Sequence, residues 1–298
     1  MYGTADPSVS QEREVINHKA ERAVKARKGI ESFLLNLAAL AVTAWFIFPL
    51  VWQLMSSIKP AAEVTANPPV LFFEPTPQNW GTLLFEKAGM SYLINSIIVA
   101  AGSAALSLAL GSLAAYGLAR FAFRGRDSLA LDFLSFRMFP AIVIVIPLFL
   151  IFQTLAIKNT YFGLILAHTT FNLPFTIWLL RGFFLEFPLE IEHASLVDGC
   201  TRLSFFWRIL LPLSGPGLAT SAVFSLILSW NEFMFASVMS SQETRTFPVF
   251  SASLLEHYVA DWSQFAAACT ASVIPVLVVM LFAQKYMIKG LTYGAIHG

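Results

Sequence analysis

Long apolar runs without a charged side chain alternate with shorter polar segments along this chain. An α-helix needs about 20 apolar residues to cross the roughly 30 Å hydrocarbon core of a bilayer, and six runs reach that length. The pattern therefore predicts an all-α, polytopic membrane protein with six transmembrane helices. The predicted spans cover residues 32–58, 88–119, 138–157, 159–180, 209–231 and 262–284.

Composition supports a location in a bilayer. Hydrophobic residues make up 57% of the 298 residues and charged residues only 12%, which is more apolar than a soluble domain tolerates. The first apolar run, of about 27 residues behind a polar segment of about 30, is too long for a cleaved secretion signal, so we expect it to be retained. Because Cys200 is expected on the cytoplasmic side and Cys269 within the sixth span, no disulfide is expected.

Lysine and arginine are unevenly divided between the two sides of the predicted topology. With the N-terminus inside, fifteen basic residues fall in cytoplasmic segments and four in outer segments. Cytoplasmic loops accumulate basic residues, so both termini are predicted to be cytoplasmic. In this assignment Arg137 belongs to the cytoplasmic loop after the second span.

A polar segment, residues 181–213, separates the fourth and fifth spans, and we refer to it as the polar loop. Such a concentration of charge in an apolar protein predicts a surface that binds a soluble partner. Its charged residues are Arg181, Glu186, Glu190, Glu192, Asp198, Arg202 and Arg208.

Local signals predict two short helices within the polar loop. Pro188 suits the start of a helix and Gly199 suits its end, because glycine readily adopts the left-handed conformation found there. Thr201 can cap a second helix, and Pro212 suits the start of the next span. The first helix would have about 11 residues and a length of about 16 Å, a size that fits a groove on a partner protein.

The polar loop resembles the cytoplasmic "EAA" loop of ABC importer permeases. That pattern contains an acidic residue, two small residues, an Asp-Gly pair and a later Leu-Pro pair. His193 stands where the family usually has its signature glutamate, and Glu192 holds the often acidic position before it. The matching positions are Glu192, His193, Ala194-Ser195, Asp198-Gly199 and Leu211-Pro212.

The resemblance extends over nearly the whole chain and narrows to the maltose-type carbohydrate branch of these importers. It is carried by several short motifs in the expected order. They are Asn95-Ser96, Ala115-Tyr116-Gly117-Leu118-Ala119-Arg120-Phe121, Leu173-Pro174-Phe175, Trp230-Asn231-Glu232-Phe233 and Gly290-Leu291-Thr292-Tyr293-Gly294-Ala295.

The resemblance implies a type I ABC importer permease fold with a coupling helix in the polar loop. It implies one transmembrane subunit of an ATP-driven sugar or polyol importer in the bacterial inner (plasma) membrane, working by alternating access. The implied partners are membrane lipid, a second permease subunit, identical or different, two ATPase subunits and a periplasmic or lipid-anchored solute-binding protein. ATP and Mg²⁺ would bind to the ATPase subunits, so this chain is expected to hold no cofactor.

The resemblance also places the contact with the ATPase in the polar loop. The alternative is that the charges there only solvate a loop and that the glycine only turns it. The expected coupling residues are Glu190, Glu192, His193, Ala194, Asp198, Gly199, Arg208 and Pro212.

Polar and aromatic side chains within the spans have two possible roles. They can line a solute path, or they can form the helix-to-helix hydrogen bonds that are usual for intramembrane amides. The absence of basic residues from the predicted spans favours a neutral, hydroxyl-rich solute. The candidates for the path are Asn95, Asn172, Trp230, Asn231 and Glu232.

Several functions lack their sequence signatures. There is no GxxxxGK[ST] phosphate-binding loop, no HExxH or CxxC metal pattern and no GxSxG nucleophile motif. We therefore expect no catalytic residue and no metal site, and the net charge of +1 gives no reason to expect nucleic acid. An ion-coupled secondary transporter or channel is the alternative function, although no predicted span has a charged residue at its centre.

These predictions divide the chain into consecutive parts. A cytoplasmic basic tail precedes the first span, and a periplasmic loop follows it. The permease core carries the other five spans and contains the polar loop as its cytoplasmic coupling loop. The boundaries are 1–31 for the tail, 32–58 for the first span, 59–90 for the periplasmic loop, 91–285 for the core and 286–298 for a cytoplasmic C-terminal tail.

Overall fold

The computed structural model describes residues 7–255 and 261–293, with side chains for residues 28–255 and 261–284. Within those residues the secondary structure is entirely helical. The chain divides into two units, residues 1–55 and 56–298. The side chains of the predicted C-terminal tail, residues 286–298, lie outside the described residues.

The first unit consists of most of one long helix, α1 (Pro7–Ser57). Its apolar part, Lys28–Ser57, is long enough to cross a membrane. Apolar side chains such as Leu35, Trp45 and Phe46 are exposed around it. A helix that is apolar on all sides is stable in a bilayer, where lipid or another protein covers it.

The second unit contains the remaining helices. Two π-helical turns, Thr82–Glu86 and Phe206–Leu210, and one 3₁₀ turn, Phe136–Met138, continue α-helices without a break. The helices are α2 (Ala61–Val64), α3 (Gln78–Gly81), α4 (Gly89–Arg120), α5 (Arg126–Ser135), α6 (Ala141–Thr154), α7 (Tyr161–Glu186), α8 (Leu189–Val197), α9 (Arg202–Phe205), α10 (Leu211–Leu213), α11 (Gly215–Trp230), α12 (Met234–Met239), α13 (Phe247–Ser253) and α14 (Trp262–Tyr293).

Helices α4 and α7 form the centre of this unit, and α11 packs against both. Glycines allow the close approach of α4 to α7. A Cβ atom at Gly102 would lie 2.6 Å from the Cδ1 atom of Ile165, and one at Gly111 would lie 2.8 Å from the Cγ2 atom of Thr176. Small residues at helix interfaces are typical of membrane proteins, where tight packing replaces the hydrophobic effect.

Among the described residues, four helices are individually long and apolar enough to cross a membrane, and two further pairs qualify if each bent pair forms one span. The pair Arg126–Met138 and Ala141–Thr154 bends by 95°, and the pair Arg202–Leu213 and Gly215–Trp230 bends by 77°. The all-helical polytopic fold is therefore confirmed, with four to six spans.

The third predicted span differs most from the structure. The sequence pattern starts it at residue 138, but α5 already packs along α7 from Arg126, with Ala130 and Ile177 in one buried cluster. Gly125, at φ +85°, turns the chain into α5. A search for charge-free runs misses α5 because it includes Arg126, Asp127 and Asp132.

Candidate functional site

Helix α8 begins and ends at the signals expected from the sequence. Pro188 precedes it, and Glu190 and Glu192 lie in its first turn, where the helix dipole favours anions. At its end, Gly199 adopts φ +90°. The N–H of Cys200 donates to the carbonyl of Ser195 at 2.9 Å, which closes the helix end in the manner of a Schellman motif.

The second part of the polar loop is anchored to the core. The Thr201 hydroxyl accepts a hydrogen bond from the N–H of Ser204 at 3.2 Å and so caps α9. The chain then continues through the π-helical turn into α10, which contains Pro212. Phe205, Phe206 and Leu210 are fully buried in a cluster with side chains of α4 and α7. Arg208 points away from that cluster and is exposed.

One face of α8 is exposed to the surroundings of the subunit. Glu190, His193, Ala194 and Val197 are all exposed, and Val197 is 87% exposed. Their spacing of three and four residues places them on the same side of the helix. Asp198 and Gly199 are also exposed beside this face. We call Glu190, His193, Ala194 and Val197 the outer face of α8.

Glu192 points the opposite way, into the subunit, and is only 3% exposed. Its carboxylate lies 2.8 Å from the Nε atom of Arg120, and both side chains are 4% exposed. The Tyr116 hydroxyl donates to the same carboxylate at 3.2 Å, and Arg202 approaches it at 3.5 Å. Glu192 is therefore an internal anchor of α8 rather than a part of its outer face.

Arg120 holds the polar loop at two points. Besides the ion pair with Glu192, its Nη2 atom donates to the carbonyl of Phe187 at 2.7 Å, just before α8 begins. Arg202 lies over the ring of Phe121 at 5.1 Å. We call Tyr116, Arg120, Glu192 and Arg202 the anchor cluster. Removing one partner of such a buried ion pair typically costs about 3–5 kcal/mol.

The sequence prediction named Glu192 but did not assign a site role to Tyr116, Arg120 or Arg202. The available signal was the position of Tyr116 and Arg120 at the end of an otherwise apolar span. A buried charge requires an opposite charge, but the sequence does not identify which acidic residue is the partner.

The amide of Asn95 is fully engaged within the subunit. Its Nδ2 atom donates to the carbonyls of Glu243 and Arg245 at 2.8 and 2.9 Å. Its Oδ1 atom accepts a hydrogen bond from the Tyr161 hydroxyl at 2.7 Å. The side chain joins α4 and α7 to the segment before α13.

Asn172 belongs to a buried polar network that connects α4, α7 and α11. Its Nδ2 atom donates to the Ser103 hydroxyl at 3.1 Å and to the Ser225 carbonyl at 3.2 Å. The Ser103 hydroxyl donates to that of Ser229 at 3.1 Å, and Ser229 lies 2.6 Å from the Nδ1 atom of His168. The structure thus brings Asn172 together with residues near the end of α11.

Trp230, Asn231 and Glu232 point in different directions. The indole N–H of Trp230 donates to the carbonyl of Ser272 on α14 at 3.1 Å. The Glu232 carboxylate lies 3.4 Å from the Nε2 atom of His168 and accepts hydrogen bonds from two N–H groups at the start of α12. Asn231 is exposed, and its amide donates to the Ile227 carbonyl one turn earlier. Of the five path candidates, only Asn231 is exposed.

Comparison with known proteins identifies the family. Residues 107–293 match the family model of the binding-protein-dependent transport system inner membrane component. The chain belongs to this family. The probable ABC transporter permease protein YurM of Bacillus subtilis is 35% identical over 252 residues, 84% of each protein. The diacetylchitobiose uptake system permease protein DasC of Streptomyces coelicolor is 32% identical over 265 residues, 88% of this chain and 96% of DasC.

A solved structure agrees in fold. A subunit of a bacterial ABC transporter that imports the acidic polysaccharide alginate superposes with a TM-score of 0.66 at 24% sequence identity. The match covers 96% of this chain and 99% of that subunit. At this level of identity the likeness concerns the fold alone.

Family membership decides between the two functions that the sequence left open. This permease is a membrane-embedded subunit of an ATP-driven importer, not an ion-coupled carrier or channel. It is not itself catalytic, because ATP hydrolysis belongs to partner subunits. It works with ATPase subunits, a solute-binding protein and a second permease subunit.

Proposed function

We propose that the outer face of α8 is the surface that an ATPase subunit binds and through which ATP-driven movement reaches the membrane helices. The observation that supports this is the contrast between the two sides of α8. His193 and Val197 are free on one side, while Glu192 is buried and ion-paired on the other. A helix that transmits movement requires one exposed face that a partner can bind and a firm attachment to its own subunit on the other.

The complex that we propose contains this permease, a second permease, two ATPase subunits and an extracytoplasmic solute-binding protein. Both termini and the polar loop face the cytoplasm, where the ATPase subunits are found. The division of basic residues in the sequence supports this orientation. The ion pair of Asp127 with Arg181 agrees with it, because it joins the start of α5 and the end of α7, which that division assigns to the same side.

Movement of α8 would reach the spans by three routes. The anchor cluster connects α8 to the end of α4. Phe205, Phe206 and Leu210 connect the polar loop to α4 and α7. Arg208 and Pro212 lie in the continuous helix that leads to α11. Inverting a 1:99 population of inward- and outward-open states requires a difference in binding of about 5.5 kcal/mol, so these connections must stay intact under load.

We propose a saccharide or polyol as the solute. The sequence motifs shared with the maltose-type branch support this class. The name of DasC, a diacetylchitobiose uptake permease, also supports it. Much of the selection among sugars would belong to the separate solute-binding protein.

The test of the coupling proposal is Gly199→Glu in the assembled complex, with Gly125→Glu as the matched control. Both glycines have positive φ and open space around them, so both changes impose a similar backbone strain. Only Gly199 lies beside the outer face of α8. We expect Gly199→Glu to reduce solute uptake at least tenfold while the complex retains ATP hydrolysis or loses the ATPase subunit.

The control separates the effect of backbone strain from the effect of disturbing the outer face of α8. Gly125→Glu is expected to lower the melting temperature by a similar amount and to leave uptake within about twofold of the parent protein. Equal loss of uptake in both variants would assign the effect to backbone strain. Normal uptake by Gly199→Glu would contradict the proposed docking surface.

A further inference from the structure

Helix α5 runs along α7, away from the end where the polar loop lies, and the 3₁₀ turn that continues it carries Arg137. At the start of α5, Asp127 forms an ion pair with Arg181 near the end of α7. Further along, Ala130 packs with Ile177 in a buried cluster that Phe133 and Leu173 also contact. Helix α5 therefore runs antiparallel to α7, and Arg137 follows Asp127 by ten residues.

The Arg137 guanidinium lies beside the apolar part of α7. Its Cζ atom is 4.8 Å from the centre of the Phe175 ring. Phe175 precedes Arg181 by six residues of α7, which is about 9 Å at 1.5 Å per residue. If Arg181 and Asp127 mark the membrane surface, the guanidinium lies about 9 Å below it, in the nearer third of a core about 30 Å thick. The sequence pattern had assigned Arg137 to a cytoplasmic loop.

Arg137 has no opposite charge within reach among the side chains that the structure describes. It is exposed, and among residues 28–255 and 261–284 no carboxylate lies within ion-pair distance of it. An arginine inside the hydrocarbon is costly, and such residues almost always face a water-filled cavity or a protein partner. Contact with lipid is therefore the least favourable surrounding for this side chain.

The Phe175 ring that the guanidinium contacts belongs to a small aromatic cluster. The Phe175 and Trp178 rings stack with their centres 6.5 Å apart, and the Phe224 ring meets Phe175 edge-on at 5.6 Å. Trp178 remains 41% exposed. We call Arg137, Phe175, Trp178 and Phe224 the Arg137 surface. On a surface joined through Phe175, an exposed indole can stack against the apolar face of a sugar ring, and guanidinium N–H groups can donate to the sugar oxygens.

We propose that the Arg137 surface lines the water-filled solute path and that Arg137 makes this path favour saccharides with a carboxylate or other anionic group. The inference rests on the proposed import function and specifies its solute class. It replaces the expectation of a neutral solute, which depended on the absence of basic residues from the spans. The competing explanation is a dry subunit interface in which an acidic residue of the second permease pairs with Arg137.

The first experiment measures whether water reaches this surface. In the full complex with Cys200 and Cys269 replaced by serine, Arg137→Cys and Leu150→Cys are each treated with a membrane-impermeant maleimide. Leu150 is an exposed residue on the aliphatic face of α6 and serves as the control. We expect Arg137→Cys to react at least tenfold faster, with a rate that changes when ATP and vanadate trap the ATPase subunits. Equal, slow reaction would overturn the proposal and would favour lipid or a dry subunit interface.

The second experiment measures the charge preference of the path without requiring a known solute. Trp178→Cys is modified with the anionic reagent sulfonatoethyl methanethiosulfonate and with its cationic trimethylammonium counterpart, with Arg137 present or changed to Gln or Lys. For an assumed separation of about 7 Å, Coulomb's law in water without salt screening predicts that Arg137→Gln lowers the ratio of anionic to cationic rates by about sevenfold. Arg137→Lys should restore the ratio.

The outcomes separate this inference from the import function. An unchanged rate ratio in Arg137→Gln, or no modification of Trp178→Cys, would overturn the inference. Neither result would affect copurification with the ATPase subunits or ATP hydrolysis, which test the coupling proposal.

Discussion

At the scale of single residues, two glutamates two positions apart have opposite environments. Glu190 is exposed on the outer face of α8, whereas Glu192 is buried against Arg120 and Tyr116. Successive residues of a helix are rotated by about 100°, so residues two apart point to nearly opposite sides. The same type of side chain therefore serves as a binding group in one position and as an anchor in the other.

This difference predicts unequal effects of neutralising the two carboxylates. Glu192→Gln leaves the Arg120 charge buried without an opposite charge, and we expect a loss of about 3 kcal/mol of stability. Glu190→Gln removes an exposed charge and should change stability by less than about 0.5 kcal/mol. Denaturant or thermal unfolding of the purified complex measures both.

A double variant distinguishes the ion pair from other effects at this position. Glu192→Gln combined with Arg120→Gln removes both charges, so part of the lost stability should return. If the double variant is as unstable as the sum of the two single variants, the two residues do not interact and the anchor cluster is not formed in the complex.

His193 occupies the position where the sequence motif usually has a glutamate, and it lies on the outer face of α8. Because this face is exposed, we expect His193→Glu to leave stability within about 0.5 kcal/mol of the parent. Uptake and ATP hydrolysis should be retained if the ATPase groove accepts the common family residue. Loss of uptake with normal assembly would indicate a partner adapted to histidine.

At the scale of elements, the contact between α7 and α11 lies directly above the polar loop. A Cβ atom at Gly217 would be 2.6 Å from the Cγ atom of Phe183, so the ring packs directly on the glycine backbone. A cavity of about 200 Å³ adjoins this contact and is lined in part by Phe187, Pro188 and Leu213. The two helices can approach here only because position 217 has no side chain.

This contact predicts that Gly217→Ala displaces the Phe183 ring and lowers stability by about 1–3 kcal/mol, the range for an overpacked site. Gly182→Ala is the matched control, because Gly182 lies one residue away on α7 and a Cβ atom there meets no atom within 4 Å. The control should be neutral or more stable by about 0.5–1 kcal/mol, since alanine is the better helix former. Thermal unfolding of both variants provides the comparison.

A second substitution that shortens the displaced ring tests whether the collision with Phe183 causes the loss of stability. Phe183→Leu in the Gly217→Ala background should recover part of the stability. No recovery would show that the added methyl group strains the backbone of α11 instead of colliding with Phe183.

At the scale of the whole molecule, the subunit has the parts of a coupled permease but no source of energy. Its exposed apolar helices, including α1 and α6, leave large surfaces for lipid and for other subunits. Its polar loop presents one free helix face. Both features are consistent with a subunit that functions only within a larger complex.

We therefore predict that the purified chain, reconstituted alone into liposomes, hydrolyses no ATP and carries no solute against a gradient. Copurified ATPase subunits and a solute-binding protein should restore ATP hydrolysis that rises severalfold on addition of solute. Concentrative uptake by the chain alone, driven by an ion gradient, would contradict this prediction.

The sequence by itself determined the class of this protein, because two of its constraints are local. The thickness of a bilayer sets the length of an apolar helix, so runs of uncharged residues identify the spans. Proline, glycine and threonine act on the backbone within a few residues, so the limits of α8 and the start of α9 were predictable. The same motifs indicated the family.

The tertiary structure decided which side chains are available for binding. Asn95 meets the carbonyls of residues about 150 positions later, and Arg120 pairs with Glu192 across 72 positions of sequence. No local pattern specifies such partners. The position of Arg137 beside Phe175 likewise follows from the packing of α5 against α7, which the run of charges along α5 does not reveal.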